Sequence, residues 1–314
     1  MWHSSVVTIW REAPGAATAP RTGPTAVTIG NFDGVHRGHQ HVIARTRELA
    51  DGIPVVAVTF DPHPMAVVAP DRAPLRLTSI ARRVELLHAA GADEVRVLAF
   101  SHEMSTWSPE SFVQNVVVEQ LGARTVVVGE NFRFGQRASG DVGLLRRMGE
   151  AAGFVVDGLD LDGGEVPFSS TLVRRLVAEG DMRAAASVLG RPHEVSGVVV
   201  TGDRRGRELG FPTANVPVDE EFCVPPDGVY AGHVVRASGE RLPAAISVGS
   251  NPTFDGTQRR VESYVLDRTD LDLYGEHLRV ELVEHLRGMV RFEGIEPLVE
   301  QMHADVARTR SLLT

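Results

Sequence analysis

The sequence predicts an α/β domain built on a parallel sheet, followed by an all-β domain that forms an antiparallel sheet or small barrel. In the first half of the 314-residue chain, short β-rich runs alternate with helical patterns, as in a parallel sheet with helices on both faces. After Pro192, β-rich runs succeed one another through turns rich in Gly, Pro, Asp and Asn, with no helical pattern between them. A chain of this length has room for about two domains and a sizeable core.

The first half contains five β-rich runs separated by helical patterns. The predicted strands are Ala26–Ile29, Pro54–Phe60, Val95–Phe100, Thr125–Gly129 and Phe154–Leu159. The predicted helices are Gln40–Ala50, Ile80–Ala90, Pro109–Leu121 and Val142–Ala152. Ser79 and Ser108 stand where helix caps are favoured. Four glycines fall just past helix ends, where a positive φ is favoured: Gly52, Gly91, Gly122 and Gly153.

Two short helical patterns follow, Ser169–Glu179 and Met182–Leu189, and the sequence Gly190-Arg191-Pro192 then breaks the pattern near the expected domain boundary. We therefore expect two domains, residues 1–186 and 187–314. The predicted strands of the second domain are Val195–Thr201, Val229–Ala237, Leu242–Val248, Val261–Leu266 and Leu278–Leu286. The tail from Glu296 to Leu313 has the apolar spacing of an amphipathic helix that packs on the sheet or barrel.

Charge and composition exclude several classes of partner. The net charge is −9, which disfavours nucleic acid as the main partner because binding the phosphate backbone needs a basic face. Cys223 is the single cysteine, so neither an intrachain disulfide nor a cysteine-rich zinc site is expected. No apolar run is long enough to span a membrane, and the first residues do not have the pattern of a signal peptide. We expect a cytoplasmic protein with small-molecule substrates, and a homo-oligomer remains an open alternative.

A glycine-rich turn after the first strand is the most informative segment. It has the sequence Gly30-Asn31-Phe32-Asp33-Gly34-Val35-His36-Arg37-Gly38-His39. A strand, such a turn and a helix start together form a phosphate-binding place, because free backbone N–H groups and the positive end of the helix dipole meet there. His36 lies just before the helix and His39 follows three residues later, so both can face one anion. The pattern favours an enzyme that binds a nucleoside triphosphate, whereas a tight turn with exposed histidines is the alternative.

The first half contains three further motif segments. They are Thr59-Phe60-Asp61-Pro62-His63-Pro64, Gly129-Glu130-Asn131-Phe132-Arg133-Phe134-Gly135 and Ser169-Ser170-Thr171-Leu172-Val173-Arg174. In order and spacing the first half resembles the FMN adenylyltransferase module of bacterial bifunctional riboflavin kinase/FAD synthetases. The resemblance implies a Rossmann-like nucleotidyltransferase domain in which the phosphate of FMN attacks the α-phosphorus of ATP, giving FAD and pyrophosphate.

The resemblance also implies roles for individual residues. His36 and His39 would donate hydrogen bonds to phosphate oxygens while the charge shifts to the leaving group. Phosphate or nucleotide contacts are expected from Gly30, Phe32, Gly34, Gly38, Asn131, Ser169, Ser170 and Arg174. Asp61 is expected close to the phosphates or Mg²⁺ and is grouped with the flavin-binding residues. Phe132 and Phe134 are predicted to stack on the flavin, with core packing as an equal alternative, and Asp33 is expected to brace the turn.

A second motif set begins with a basic, glycine-rich loop that leads into a strand. It runs Gly202-Asp203-Arg204-Arg205-Gly206-Arg207-Glu208-Leu209-Gly210-Phe211-Pro212-Thr213-Ala214-Asn215. Together with Pro225–Ala231, Ser247–Phe254, Val261–Leu266 and Asp272–Gly275, it resembles the riboflavin kinases, over most of Gly190–Leu313. The resemblance implies an antiparallel β-barrel with a C-terminal helix. A solvated hairpin loop is the alternative.

The kinase resemblance assigns a second group of site residues. The loop would hold ATP phosphates through Gly202, Arg205, Gly206 and Gly210. Thr213 and Asn215 would bind Mg²⁺, since a hard cation takes oxygen ligands. Glu262 would be the base for the ribityl 5′-hydroxyl as it attacks the γ-phosphorus. Tyr264, assigned to the flavin, stands where many relatives carry histidine.

Both motif sets together predict a two-step enzyme that converts riboflavin to FMN and FMN to FAD, with ATP and Mg²⁺ in each step. Two alternatives stay open: an adenylyltransferase with a weakened kinase domain, and a flavin-binding regulator without activity.

Overall fold

The computed structural model describes residues 23–160, 168–202, 209–253, 256–268 and 270–313 of the chain. The chain divides into two compact units, one ending at Ser170 and the other beginning at Thr171. The predicted combination of a parallel α/β unit with an antiparallel β unit is confirmed.

The described part of the first unit contains one parallel sheet of five strands in the order β3-β2-β1-β4-β5. The strands are β1 (Thr25–Ile29), β2 (Val55–Asp61), β3 (Glu94–Ala99), β4 (Ala123–Gly129) and β5 (Val155–Leu159). The helices are α1 (Arg37–Leu49), α2 (Pro64–Val68), α3 (Ile80–Ala89), α4 (His102–Ser105), α5 (Pro109–Phe112) and α6 (Val142–Ala152). Short 3₁₀ turns lie at Pro70–Arg72 and Gln136–Ala138. The strand order reverses between β1 and β4, the kind of point where open parallel sheets bind ligands.

The predicted strands and most helices of this unit agree with the structure to within a few residues. All four glycines expected past helix ends have a positive φ, between 55° and 115°. The predicted continuous helix Pro109–Leu121 is wrong in its second part, which is a π-helix over Val113–Gln120. That segment buries Val113, Val116 and Val117 against the apolar residues of the sheet. The short helices α2 and α4 were not predicted, because each is too brief to show a helical period.

The second unit begins with two helices and continues as a nearly closed antiparallel barrel. Its helices are α7 (Ser170–Glu179), α8 (Met182–Leu189) and the C-terminal α9 (Ile295–Leu313). Its strands are β6 (His193–Val198), β7 (Ala214–Pro217), β8 (Gly228–Val235), β9 (Arg241–Thr253), β10 (Gly256–Val265) and β11 (His277–Gly288). The described strands pair in the order β6-β11-β8-β9-β10-β7. A bridge between Val200 and Asn215 brings the two edges of this sheet together.

The C-terminal helix packs on the barrel, as the sequence predicts. Arg287 on β11 forms a forked ion pair with Asp305 on α9, at 2.7 Å between Nη2 and Oδ2. Leu313 packs with the buried side chains of Val229, Ala231 and Leu286. The helices α7 and α8 belong to the second compact unit, whereas the sequence assigned most of their length to the first domain. A functional boundary at residue 186 stays a prediction.

The strands β8 and β11 of the barrel approach each other closely at Gly232, so a substitution there tests how tightly they pack. A Cβ at this position of β8 would lie 1.9 Å from the carbonyl oxygen of Glu281 on β11. Because that atom belongs to the backbone, the strands must move apart to admit it. We expect Gly232→Ala to lower the free energy of unfolding by about 1–3 kcal/mol, the usual cost of overpacking.

Urea unfolding followed by circular dichroism measures this effect. The matched control is Gly288→Ala at the end of β11, where a Cβ would meet no atom within 4 Å. Equal unfolding midpoints for the two variants would contradict the predicted strain at Gly232.

Candidate functional site

Three motif segments open at one edge of the parallel sheet. The strands β2, β1 and β4 are neighbours and run parallel, and their last residues are Asp61, Ile29 and Gly129. The segments that follow are therefore brought to the carboxyl edge of the sheet, as predicted. Asp61 is half-buried there, and Asn131 is exposed.

His36 is the N-cap of α1. Its Nδ1 accepts a hydrogen bond from the backbone N–H of His39 at 3.4 Å, and its side chain is 3 % exposed. With Nδ1 as acceptor, the neutral ring carries its proton on Nε2. An N–H donor therefore stands at the start of a helix, where the helix dipole also favours an anion.

The ring of His39 stacks on the ring of His36, with 3.6 Å between centroids and 22° between planes. Phe32 meets His39 edge-on at 5.1 Å. Among the described residues, none hydrogen-bonds the buried Nδ1 of His39. Burial, and after it the electrostatic influence of His36 and of the cationic Arg83, hold the pKa of His39 well below its usual value. Near neutral pH this ring is therefore an uncharged hydrogen-bonding group.

The turn before α1 has a strained backbone that a buried carboxylate holds in place. Phe32 and Val35 have φ values of 49° and 41°, a conformation that is costly for a β-branched residue such as Val35. Asp33 is 2 % exposed, and its carboxylate accepts hydrogen bonds from the backbone N–H groups of Leu77 and Thr78. The bracing role expected for Asp33 matches this geometry.

Ser170, the last residue of the first unit, contacts the same turn. Its Oγ donates to the carbonyl oxygen of Asp33 at 2.8 Å. A Cβ at Gly38 would lie 3.1 Å from the His36 ring and 3.4 Å from Phe168, so the absence of a side chain lets these groups pack closely. Arg174 lies further along α7, in the second unit.

The two phenylalanines after β4 differ in environment. Phe134 is 7 % exposed and packs on Phe112 and Phe132, with centroid distances of 5.9 and 5.4 Å. It is therefore a core residue, which is the packing alternative that the sequence left open, and the flavin-stacking expectation for Phe134 is not supported by its surroundings. Phe132 is partly buried and keeps some exposed surface.

The second unit brings Thr213, Asn215 and Glu262 together through strand pairing. Glu262 on β10 is the register partner of Asn215 on β7, so both side chains lie on one face. Thr213 Oγ1 donates to Glu262 Oε2 at 3.4 Å and accepts from Asn215 Nδ2 at 3.3 Å. A hydroxyl, an amide and a carboxylate thus meet at one point of the barrel.

The side chain of Asn215 has an unusual environment. It is 6 % exposed, and its buried Oδ1 has no hydrogen-bond partner in the described part of the chain. A Cβ at Gly202 would lie 2.6 Å from this amide, so only glycine fits over it. An amide oxygen in this position fits a hard divalent cation. Gly210 has a φ of 85°, whereas Arg205 and Gly206 lie outside the described residues.

A cavity of about 430 Å³ adjoins this cluster within the second unit. Its lining includes Thr213, Asn215, Ser263, Arg268 and Tyr274. Such a volume suits a small molecule rather than a macromolecule. No group of three or more His, Cys, Asp or Glu side chains with the spacing of a metal site occurs among the described residues.

Two tyrosines of the second motif set have different positions. Tyr264 follows Glu262 by two residues and meets Phe211 edge-on at 5.1 Å. Tyr230 is fully buried and donates from its hydroxyl to the carbonyl oxygen of Pro226 at 2.7 Å. Burial raises the pKa of Tyr230 to about 12. Tyr230 therefore stabilises the turn before β8.

Comparison with known proteins assigns both halves. Residues 18–171 match the family described as FAD synthetase, and residues 189–313 match the family described as riboflavin kinase. A bifunctional riboflavin kinase/FMN adenylyltransferase of Escherichia coli K12 is 36% identical over 93% of both chains. One from Pseudomonas fluorescens is 39% identical over 91% of this chain and 92% of its own. The chain belongs to this bifunctional family.

A solved structure has the same fold over most of the chain. A Streptococcus pneumoniae protein described as a macrolide-efflux protein aligns with a TM-score of 0.84 and 30% identity, over 93% of this chain and 96% of its own. The efflux description belongs to that protein. In the described portion of this chain, no helix has the length and apolarity needed to cross a bilayer.

Arg83 is a residue of the first site that sequence reasoning missed. It lies on α3, is 4 % exposed, and contacts Asp33 at 3.3 Å. An arginine in an amphipathic helix is normally exposed, so periodicity alone gives no sign of its burial. The apolar neighbours Val84 and Leu87 on the buried face of α3 are a weak signal that the face extends to Arg83.

We expect the ring of His39 to stay mainly neutral at pH 6.5, where a histidine in water is half protonated. Burial lowers its folded-state pKa, so the unfolded chain takes up the proton first as the pH falls. The first unit should therefore lose stability below about pH 6.5.

A ¹⁵N NMR titration of the imidazole measures this pKa, with the resonance assigned by its loss in His39→Gln. The same variant should remove His39's share of the pH dependence of unfolding. A titration midpoint at or above 6.5 would contradict the effect of burial.

Proposed function

We propose that the chain phosphorylates riboflavin to FMN with ATP in its second unit, and transfers AMP from ATP to FMN in its first. The observation that carries the proposal is that one chain holds both sites: a histidine-capped helix start at the edge of a parallel sheet, and the Thr213–Asn215–Glu262 cluster on a barrel. Its membership of the bifunctional family supports the same reading.

In the kinase step, the ribityl 5′-hydroxyl attacks the γ-phosphorus of ATP and ADP leaves. Glu262 accepts the hydroxyl proton, and the hydrogen bond from Thr213 to its Oε2 orients the carboxylate. Thr213 and Asn215 would hold a divalent ion, which we propose is Mg²⁺. When bound, such an ion neutralises phosphate charge. The unpartnered Asn215 Oδ1 supports this assignment.

In the adenylyl transfer step, a phosphate oxygen of FMN attacks the α-phosphorus of ATP and pyrophosphate leaves. Pyrophosphate is a good leaving group, so the site needs in-line positioning and compensation of charge rather than a covalent intermediate. His36 donates from Nε2 at the start of α1, and the neutral His39 ring stacked on it limits how His36 can turn.

The remaining ligand contacts are proposals of the same kind. Phosphate and nucleotide contacts are proposed for the glycines of the turn and for Asn131, Ser169 and Arg174. Asp61 and the exposed part of Phe132 are proposed to face FMN, and Tyr264 riboflavin. We also propose a cytoplasmic location, as for a metabolic enzyme that consumes ATP. A homo-oligomer is left to direct measurement.

The test is a time course with riboflavin, ATP and Mg²⁺ in which FMN and FAD are separated and quantified. We expect FMN to appear first and FAD after it. Failure to form FMN from riboflavin would overturn the kinase assignment. Failure to form FAD from added FMN would overturn the transferase assignment, and absence of both would favour a regulator that only binds flavin.

We expect Glu262→Gln to lose at least about a hundredfold in FMN formation, within the usual contribution of a general base, while FAD formation from FMN stays near wild type. His36→Asn should show the reverse pattern. Asparagine is a good N-cap, so it preserves the helix start while removing the imidazole donor.

Initial rates of both half-reactions on each variant make the comparison, and His36→Ala serves as the variant that also lacks the cap. If His36→Asn converts FMN to FAD at the wild-type rate, His36 acts as a cap alone. Loss of both activities in either variant would contradict two separate sites.

We expect Gly202→Ala to lower the rate of riboflavin phosphorylation by about tenfold or more, because its Cβ would displace the Asn215 amide. FAD formation from FMN should not change. The control is Gly288→Ala, which adds the same methyl group without a close contact. Wild-type kinetics for Gly202→Ala over a range of Mg²⁺ concentrations would count against Asn215 as a metal ligand.

A further inference from the structure

Arg83 forms a buried ion pair next to the turn that carries His36. Its Nη2 lies 3.3 Å from Asp33 Oδ1, and the two side chains are 4 % and 2 % exposed. Replacing such a pair by apolar residues is often neutral for stability, whereas removing one partner leaves an uncompensated buried charge and is strongly destabilising. A gain in stability therefore does not by itself explain the presence of this ion pair.

The second terminal nitrogen of the Arg83 guanidinium also forms hydrogen bonds. Its Nη1 lies 3.3 Å from both Thr59 Oγ1 and the carbonyl oxygen of Phe60, near the end of β2. Thr59 Oγ1 in turn donates to the carbonyl oxygen of Asn31 at 2.9 Å. One fork thus connects α3 to the end of β2 and, through Thr59, to the turn after β1.

Asp33 extends the same network to the segment before α3. Its carboxylate accepts from the N–H groups of Leu77 and Thr78 and from Thr78 Oγ1, at 3.0–3.1 Å. Thr78 Oγ1 also accepts from the N–H of Gly34 at 3.2 Å. Both ends of the strained turn at Phe32–Val35 are consequently fixed from outside the turn.

We propose that Arg83 is a positioning residue for adenylyl transfer, which fixes the turn from Gly30 to His36 through Asp33 and Thr59 so that the His36 ring faces the ATP phosphates. The residues of the turn have costly φ values that persist only when their surroundings hold them. Displacement of a phosphate-binding group by about 1 Å can cost a hundredfold in rate. This inference rests on the proposed transferase activity.

The test compares Arg83→Met and Arg83→Lys with Arg82→Met. Methionine removes the fork at similar length, lysine keeps one charged arm, and Arg82 is the adjacent arginine, which pairs with Glu85 at the surface. We expect Arg83→Met to lower kcat for FAD formation by about tenfold or more with a smaller change in KM for ATP. Arg83→Lys should recover part of this loss, and Arg82→Met should match wild type.

The rate of riboflavin phosphorylation by the same preparations shows whether the second unit is active. The concentration of folded first unit is taken from the amplitude of its unfolding transition. A wild-type kcat per folded Arg83→Met would overturn the proposal, as would an equal loss in Arg82→Met. If Arg83→Met does not fold, Thr59→Val removes the hydroxyl that joins Arg83 to Asn31 and leaves the ion pair with Asp33 in place. It should lower kcat several-fold, and an unchanged kcat would overturn the proposal. A wild-type chain that makes no FAD would instead refute the transferase function.

Discussion

The first site depends on one buried carboxylate. Asp33 lies in the turn after β1, yet its hydrogen-bond donors come from the segment before α3 and from α3 itself. A buried negative charge is stable only while its donors remain in place. Here the turn after β1 supplies the carboxylate of Asp33, and the segment before α3 supplies the N–H groups that bind it. The turn after β1 and the segment before α3 are consequently tied to each other.

In the second unit, strand pairing positions the functional groups. Antiparallel pairing of β7 with β10 places Asn215 opposite Glu262, and Thr213 directly precedes β7. Backbone hydrogen bonds along the strands therefore set the distances between the functional groups. The contrast follows from topology: a parallel sheet presents its site on loops, whereas an antiparallel barrel can present one on the strands themselves.

Sequence reasoning predicted what depends on local pattern. Alternating strands and helices give the parallel sheet and its functional edge, and a glycine past each helix end gives φ values that the structure confirms. The apolar period does not indicate that α1 starts at Arg37, because Arg37-Gly38-His39 contains no apolar residue. The side chain of His36 caps the helix at this point. The π-helix after Phe112 and the burial of Arg83 depend on packing against distant strands, which a local window does not include.

The N-cap of α1 links the shape of the site to its charge. His36 begins the helix by accepting a hydrogen bond on Nδ1, and an imidazole that holds a proton on both nitrogens accepts none. Full protonation would make the ring a stronger attractor of phosphate and, in the same event, remove the cap that aligns the helix with that phosphate. The N-cap and a doubly protonated His36 ring therefore exclude one another. In the proposed reaction, the cap would let this helix start offer phosphate an N–H dipole held in a fixed direction.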